Sequence, residues 1–247
     1  MRSERLSIIL PCFDEEAGIA ENVRKVHEYL SSRFENPEII AVDDGSRDGT
    51  LSELDRVSKE IPLTIIRNEV NEGKGKAVKK GILAATGDIV AFLDADLAIP
   101  IEEIDLFVDS IVAGHDIVIA SRFIPEFRAI NPIPFHRRLM ERVFRVLRKI
   151  ILNNGDIQDT QCGFKVFRRD TARRIFKYVT VNRFAFDAEL IFVARKFGYS
   201  VKELPIHLRN PRESHVRIVR DPIDMFIALF RIRLNEYKGR YDGKSTV

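Results

Sequence analysis

The sequence predicts an α/β fold, a mostly parallel sheet with helices on both faces. Three observations lead there. Short apolar, β-branched runs alternate with segments of helical periodicity through the first half of the chain. The strand-like runs are continuous rather than alternating, as expected of parallel strands buried on both faces. Polar clusters follow these runs, at the strand ends where open α/β sheets bind ligands.

Taken in order, Leu6–Pro11 is the first strand and Ala17–Leu30 the first helix. Glu38–Val42 is the second strand, followed by a helix over Leu51–Glu60. Leu63–Arg67 is the third, with a helix over Ala77–Ala85. Asp88–Leu93 is the fourth, with a helix over Ile101–Ala113, and Asp116–Ala120 is the fifth. The second half is less regular. Phe135–Leu152 reads as a basic amphipathic helix, with Leu139, Val143, Val146, Leu147 and Ile150 on one side. Gly163–Phe167 and Val201–Leu208 look like strands, and Pro222–Tyr237 is another amphipathic helix. No repeat, low-complexity tract or Gly/Ser linker interrupts the chain, so residues 1–247 are read as one domain.

Bulk properties narrow the function. A length of 247 residues allows a sizeable core, and a net charge of +3 gives no global reason to bind nucleic acid. The charge is uneven: acidic residues crowd the first half, while Lys and Arg gather around 136–149, 165–177 and 195–233. That asymmetry suits a surface that meets phosphate or a membrane face. Cys12 and Cys162 lie far apart, which argues against a disulfide framework and for a reduced, cytosolic setting. No leader precedes the first apolar run, and no apolar stretch approaches the ~20 residues needed to span a bilayer. The expectation is a protein that lies on a membrane if it touches one. His27, His115, His136 and His207 show no metal-ligand spacing.

Asp94-Ala95-Asp96 ends the fourth strand. Two carboxylates at i and i+2 past a strand end can converge on one hard cation, and Mg²⁺ and Mn²⁺ share such oxygen ligands with substrate phosphates. A solvated turn or helix cap is the alternative, and a second acidic cluster weighs against it. Asp43-Asp44-Gly45-Ser46 ends the second strand; an ionised Asp there can read a ring N–H or ribose hydroxyls, while Asp48 and Thr50 cap the next helix. Pro11-Cys12-Phe13-Asp14-Glu15-Glu16 ends the first strand. Phe13 can stack on a base and Glu15 can reach ribose; equally, Phe13 can be core and Asp14 to Glu16 an acidic helix start. Asn71-Glu72-Gly73-Lys74-Gly75-Lys76 is not a Walker loop, yet Lys74 and Lys76 stand near a helix N-terminus where phosphate binds.

These clusters, in this order, resemble the family 2 glycosyltransferases of the GT-A (Rossmann-like) fold, whose pattern is P-x-Y-N-E, D-D-G-S-x-D-x-T, G-K-G and D-x-D. The sequence reads PCFDEE, DDGSRDGT, GKGKA and DAD. QDTQCGFKVF (158–167) and RFAFDAEL (183–190) resemble one branch, the dolichyl-phosphate glucose synthases. The resemblance implies a nucleotide-sugar half over 1–123 and an acceptor half over 124–247. It implies that Pro11, Phe13 and Glu15 hold the nucleoside, that Asp43 accepts from the base with Asp44 beside it, and that Lys74 lines the pocket. Asp94 and Asp96 would hold Mg²⁺ or Mn²⁺ and the diphosphate, with Asp96 central to catalysis. Arg122 would face phosphate, and Gln161, Asp187 and Glu189 would line the sugar and acceptor side. Asp187 is the preferred functional member of its pair; the alternative makes it a helix cap and Glu189 a surface charge.

Three departures from the pattern stand out. Phe13 and Asp14 replace Tyr and Asn. Ala98 stands where mannose-transferring relatives carry a metal-binding Gln, which favours UDP-glucose over GDP-mannose as donor. Ser214-His215-Val216 stands where relatives have Ser-Lys and an aliphatic residue. The implied reaction is inverting transfer to a polyprenyl (dolichyl) phosphate. Such an acceptor is already ionised and needs alignment more than a base, and Arg122, Arg209, Arg212 and Arg217 are candidate phosphate clamps. The two amphipathic helices, with Phe135, Phe144, Met225, Phe226 and Phe230 toward lipid or core, imply a peripheral seat on the cytosolic face of a membrane. Other readings are a GDP-mannose donor, a glycan, protein or small-molecule hydroxyl acceptor, or nucleotide-sugar binding without turnover. A sugar nucleotidyltransferase would need a basic Gly-rich loop where Asp14–Glu16 stands.

Overall fold

The computed structural model describes residues 1–124, 127–129, 135–153, 155–208 and 220–243. The first half runs β1 (Leu6–Cys12), α1 (Ile19–Arg33), β2 (Glu38–Asp43), α2 (Thr50–Val57), β3 (Thr64–Arg67), α3 (Lys74–Ala84), β4 (Ile89–Leu93), a 3₁₀ turn at Ile101–Glu103 leading into α4 (Ile104–Val112), and β5 (Ile117–Ser121). The second runs β6 (Arg128–Ala129), α5 (Phe135–Leu152), β7 (Phe164–Arg168), α6 (Arg169–Tyr178), α7 (Phe186–Lys196), β8 (Val201–Pro205), β9 (His207–Leu208) and α8 (Arg220–Tyr237).

Seven strands form one sheet in the order β3-β2-β1-β4-β7-β5-β8. Every pairing in it is parallel except those of β7, which runs antiparallel to both β4 and β5. The period-2 geometry of a strand sends alternate side chains to opposite faces. Ile9 joins a core with α3, α6, α7 and α8, whereas Ile8 and Leu10 join one with α1, α2 and α4. Burial on both faces is what makes the strand sequences continuously apolar.

The predicted strands and helices of the first half are present, with ends displaced by a few residues. Three differences have physical causes. Val201–Leu208 is not one strand: it divides at Ile206 into β8 and β9, and β9 pairs with β6 in a separate two-stranded sheet. Pro205 ends β8 because it has no N–H to continue the ladder. Helix α6 was hidden by its basic residues, although Thr171, Ala172, Ile175 and Phe176 are buried at helical spacing. Helix α5 turns much of its apolar stripe outward, with Leu139, Val143, Val146 and Ile150 exposed. It packs inward through Leu152, the partly buried Phe144 and Leu147, and a buried Arg148. On α8, Ile223, Ile227, Phe230 and Leu234 are likewise exposed, while Leu229 and Ile232 are buried. Among the described residues no helix is long and apolar enough to cross a membrane.

Candidate active site

Because β1, β2 and β4 are neighbours and parallel, the clusters that follow them emerge along one edge of the sheet. The loop after β1 is laced to the loop after β2. Asp14 N–H donates to Ser46 Oγ (3.0 Å), Arg47 N–H to Asp14 Oδ1 (2.8 Å) and Glu15 N–H to Thr50 Oγ1 (2.7 Å). Glu16 N–H donates to Asp48 Oδ2 (3.0 Å), and Gly49 N–H to Glu16 Oε2 (2.9 Å). Asp14 and Glu16 are therefore loop fasteners rather than a helix-start cluster. The charge that Asp14 introduces meets a backbone amide, and its φ of 54° is one an Asp tolerates. Pro11, Phe13 and Glu15 are left at the rim, partly exposed. Asp48 also accepts from Thr50 N–H at 3.0 Å, which closes the turn before α2; the N-cap position is Gly49, so neither Asp48 nor Thr50 caps the helix as expected.

Asp43 and Asp44 are both buried, and they differ in use. Asp43 Oδ1 accepts from the backbone N–H (3.1 Å) and hydroxyl of Ser46, which closes its own turn. Asp44 accepts from Asn68 Nδ2 (2.7 Å), Glu72 N–H (3.0 Å) and Gly73 N–H (2.8 Å). With three internal donors, Asp44 holds the loop before α3 in place. That loop delivers Lys74, whose ammonium pairs with Asp94 Oδ1. Burial would pull Lys74 down, but Asp94, Asp187 and Asp96 outweigh it and raise its pKa.

Asp94 follows β4 directly. Its N–H donates to Gly163 O (3.0 Å), and its C=O accepts from Leu97 N–H (3.1 Å). Leu97 takes φ 49°, a left-handed value that costs a bulky residue about 1–2 kcal/mol. That turn folds Asp96 back, where its Oδ1 accepts from Ala98 N–H at 3.0 Å. Gly163 is packed against Asp94: a Cβ there would lie 1.9 Å from Asp94 Oδ2. Among the described residues no three His, Cys, Asp or Glu side chains group to hold a metal. Asp94 and Asp96 instead offer two partly exposed hard-oxygen donors. That set fits a divalent cation completing its shell from substrate phosphate and water.

The sequence reading missed Lys165. Its side chain is fully buried, and its ammonium pairs with Asp187 on the first turn of α7. The signal was a single charge inside the apolar run Phe164–Phe167. Asp187 is buried and lies in the electrostatic reach of Lys74 and Asp94; burial raises its pKa, with Lys165 opposing. Glu189 is not a surface charge. It is fully buried and accepts from Thr180 N–H (2.8 Å) and hydroxyl (2.8 Å), Val181 N–H (2.7 Å) and Tyr241 Oη (2.6 Å).

Arg122 does not face an open phosphate position. Its Nε and Nη2 donate to Asp159 (2.7 and 3.1 Å) and its Nη1 to Glu141 on α5 (2.9 Å). A guanidinium this buried must be paired, so Arg122 ties β5 to α5 and to the 156–161 segment. Burial alone would raise the pKa of Asp159; Arg122 holds it below the usual carboxylate range. Gln161 N–H donates to Asp159 Oδ1 (3.0 Å), which places Gln161 on the approach to Gly163 and Asp94. Arg209, Arg212, Arg217 and Ser214-His215-Val216 lie outside the described residues, as do the side chains of Phe135 and His136. Both cysteines are free and buried, and burial pushes the Cys162 thiol up to about 12, which leaves it inert.

Comparison with known proteins agrees with this geometry. The model of glycosyl transferase family 2 matches residues 7–176. A dolichyl-phosphate beta-glucosyltransferase of Trichomonas vaginalis is 33% identical over 225 residues, covering 86% of this chain and 68% of that protein. The human dolichyl-phosphate beta-glucosyltransferase is 29% identical over 219 residues, covering 83% and 67%. Glucosyl-3-phosphoglycerate synthase of Mycobacterium tuberculosis, solved with UDP, shares the GT-A fold at a TM-score of 0.67 and 18% identity, covering 98% of this chain and 82% of that one. The chain belongs to glycosyl transferase family 2 and is a glycosyltransferase.

Proposed function

We propose that the protein transfers glucose from UDP-glucose to a polyprenyl (dolichyl) phosphate, inverting the anomeric centre, with Mg²⁺ or Mn²⁺ at Asp94 and Asp96. The observation that carries this is the convergence of Lys74, Asp94, Asp96 and Asp187 at the ends of β4 and β7. The relatives named as dolichyl-phosphate beta-glucosyltransferases support the choice of donor sugar and acceptor. Ala98, which offers the cation no side-chain ligand, supports the choice of donor alone.

In this reading residues 1–123 form the donor half and 124–247 the acceptor half of one domain. Pro11, Phe13, Glu15 and Asp43 hold the nucleoside, and Asp44 acts through the loop it fastens. Lys74 holds Asp94 in place and sets a positive charge beside the diphosphate. Asp94 and Asp96 would hold the cation, which when bound would supply positive charge to offset that developing on the leaving nucleoside diphosphate. Gln161 and Asp187 orient the sugar for attack from the opposite face. The lipid phosphate attacks as an anion, so the protein aligns it rather than deprotonating it. Arg209 belongs to that alignment, and Arg122 acts indirectly by fixing the 156–161 segment.

The exposed apolar faces of α5 and α8, with the exposed Arg142, Arg231, Lys238 and Arg240 on the same helices and just beyond, suit a peripheral seat on an anionic membrane surface. The test offers UDP-glucose and GDP-mannose, each with a polyprenyl phosphate and Mg²⁺ or Mn²⁺. UDP-glucose is expected to give glucosyl lipid. Preference for GDP-mannose would overturn the donor, and transfer to a sugar hydroxyl with none to lipid phosphate would overturn the acceptor.

A further inference from the structure

The Lys165 ammonium meets three partners. It donates to Cys162 O (2.5 Å), pairs with Asp187, and lies 5.1 Å from the centre of the Phe92 ring. Its side chain is fully buried, so it has no path to substrate. Register places it opposite Phe92 of β4, one residue before the end of that strand and two before Asp94. The carbonyl it holds belongs to Cys162, next to Gly163, which packs on the Asp94 carboxylate and accepts its N–H. One ammonium thus touches both sides of the cluster, the backbone that seats Asp94 and the carboxylate of Asp187.

From this geometry we infer that Lys165 is a positioning residue for transfer: by neutralising Asp187 it keeps Lys74 on Asp94. Asp187 is buried against Lys165, and the turn that carries Lys74 packs on the turn that carries Asp187: a Cβ at Gly75 would lie 2.6 Å from Phe186 Cβ, and Lys76 N–H donates to Asn182 O (3.1 Å), so both cations act on Asp187. Lys74 in turn feels Asp187 next after Asp94. A buried carboxylate stripped of its partner draws the nearest remaining cation. Without Lys165 that cation is Lys74, and its transfer to Asp187 leaves Asp94 without the contact that orients it.

The inference rests on Asp94 being a cation ligand and is tested so that the two fail separately. Four variants are compared: Lys165→Met, Lys165→Arg, Asp187→Asn and the double variant Lys165→Met/Asp187→Asn. Mn²⁺ binding is read by EPR titration in the presence of UDP, beside turnover and thermal denaturation. Lys165→Met is expected to weaken Mn²⁺ binding by about 10–100-fold, the range for loss of a group that orients a metal ligand. The double variant removes the uncompensated charge, so Lys74 returns to Asp94 and Mn²⁺ binding returns to within about threefold of the parent. Lys165→Arg retains the charge and most of the binding. Unchanged Mn²⁺ binding in folded Lys165→Met overturns the inference, and so does a double variant no better than the single. If Lys165→Met does not fold, the charge-neutral double variant and Lys165→Arg carry the test: loss of Mn²⁺ binding in the folded double variant overturns it. Asp96→Ala is the separate control, because full Mn²⁺ binding there rejects the cation site itself.

Discussion

Gly163→Ala separates the chemistry of Asp94 from the stability of the fold. The added Cβ would lie 1.9 Å from Asp94 Oδ2, 2.4 Å from Cγ and 2.5 Å from Oδ1. All three atoms belong to the end of one side chain that is 44% exposed, so Asp94 can rotate into solvent and relieve the clash. Gly163 is not among the glycines at positive φ, so alanine is compatible with its backbone. At such a position Gly→Ala stabilises by about 0.4–1 kcal/mol through the unfolded chain. Against that stands the Lys74–Asp94 pair, which at this exposure contributes about 0–1 kcal/mol. The net change is within about 1 kcal/mol, a shift in Tm of less than about 4 °C. Turnover is a different matter. Displacing one of the two carboxylates that would hold the cation is expected to cost on the order of 10²–10³ in kcat, by analogy with removal of a preorganised electrostatic group. The assay is transfer of labelled sugar beside thermal denaturation, with Gly155→Ala as control because no atom lies within 4 Å of a Cβ there. Wild-type turnover with wild-type Tm would refute the placement of Asp94. A collapse in Tm would show that the start of β7, not Asp94, yields to the methyl group.

Asp96→Ala is expected to abolish cation-dependent transfer while Tm moves by only a few degrees; surviving activity sinks the metal assignment. Tyr241→Phe removes the hydroxyl that donates to the buried Glu189, so urea denaturation should show a loss of about 1.5–3 kcal/mol, and an unchanged midpoint would reject that role. Arg122→Met leaves Asp159 buried and unpaired, at a loss of about 3–5 kcal/mol at pH 7. In the parent, Arg122 lowers the pKa of Asp159, so the pair stabilises above the unfolded value of about 3.9 and fails as pH falls through the folded one. In the variant the pKa of Asp159 rises instead, so the stability gap should widen between pH 4 and pH 7. Equal gaps at the two pH values in urea denaturation would refute the pairing argument.

Local sequence carries much of the site that follows β1, β2 and β4 because its information is local. A β-branched run followed by Asp-x-Asp states both the strand and the position of the carboxylates relative to it. What escaped is information about partners distant in sequence. Asp43 and Asp44 are neighbours, yet only the fold shows that the second accepts from Asn68, Glu72 and Gly73. Arg122 looks like a phosphate ligand until Asp159 and Glu141 are brought to it. Glu189 looked exposed because helices ordinarily have a wet face, but every residue from Phe186 to Ala194 is buried. The stripe on α5 was read correctly as apolar, but apolar periodicity does not say which way a helix turns.

The direction of β7 explains why so much of the site was illegible. A parallel strand between β4 and β5 would bring its C-terminal end to the ligand edge, as β1, β2 and β4 do. β7 is antiparallel to both neighbours, so its N-terminal end arrives there instead. That end carries Cys162, Gly163 and Lys165, and it draws the 156–161 segment in behind it. The segment is fixed on two sides: Glu203 of β8 accepts from Gln158 and Asp159 N–H (2.7 and 2.9 Å), and Arg122 grips the Asp159 carboxylate. Reversing one strand is thus what lets the second half of the chain reach Asp94, with Gly163 against its carboxylate and Lys165 behind Asp187. Asp94 and Asp96 are written in the first half, but Gly163, which packs on Asp94, and Lys165, which pairs with Asp187, come from the second. A substitution at the start of β7 should therefore disturb donor and acceptor functions together, whereas one in the Asp14–Glu16 fasteners should disturb the donor side alone.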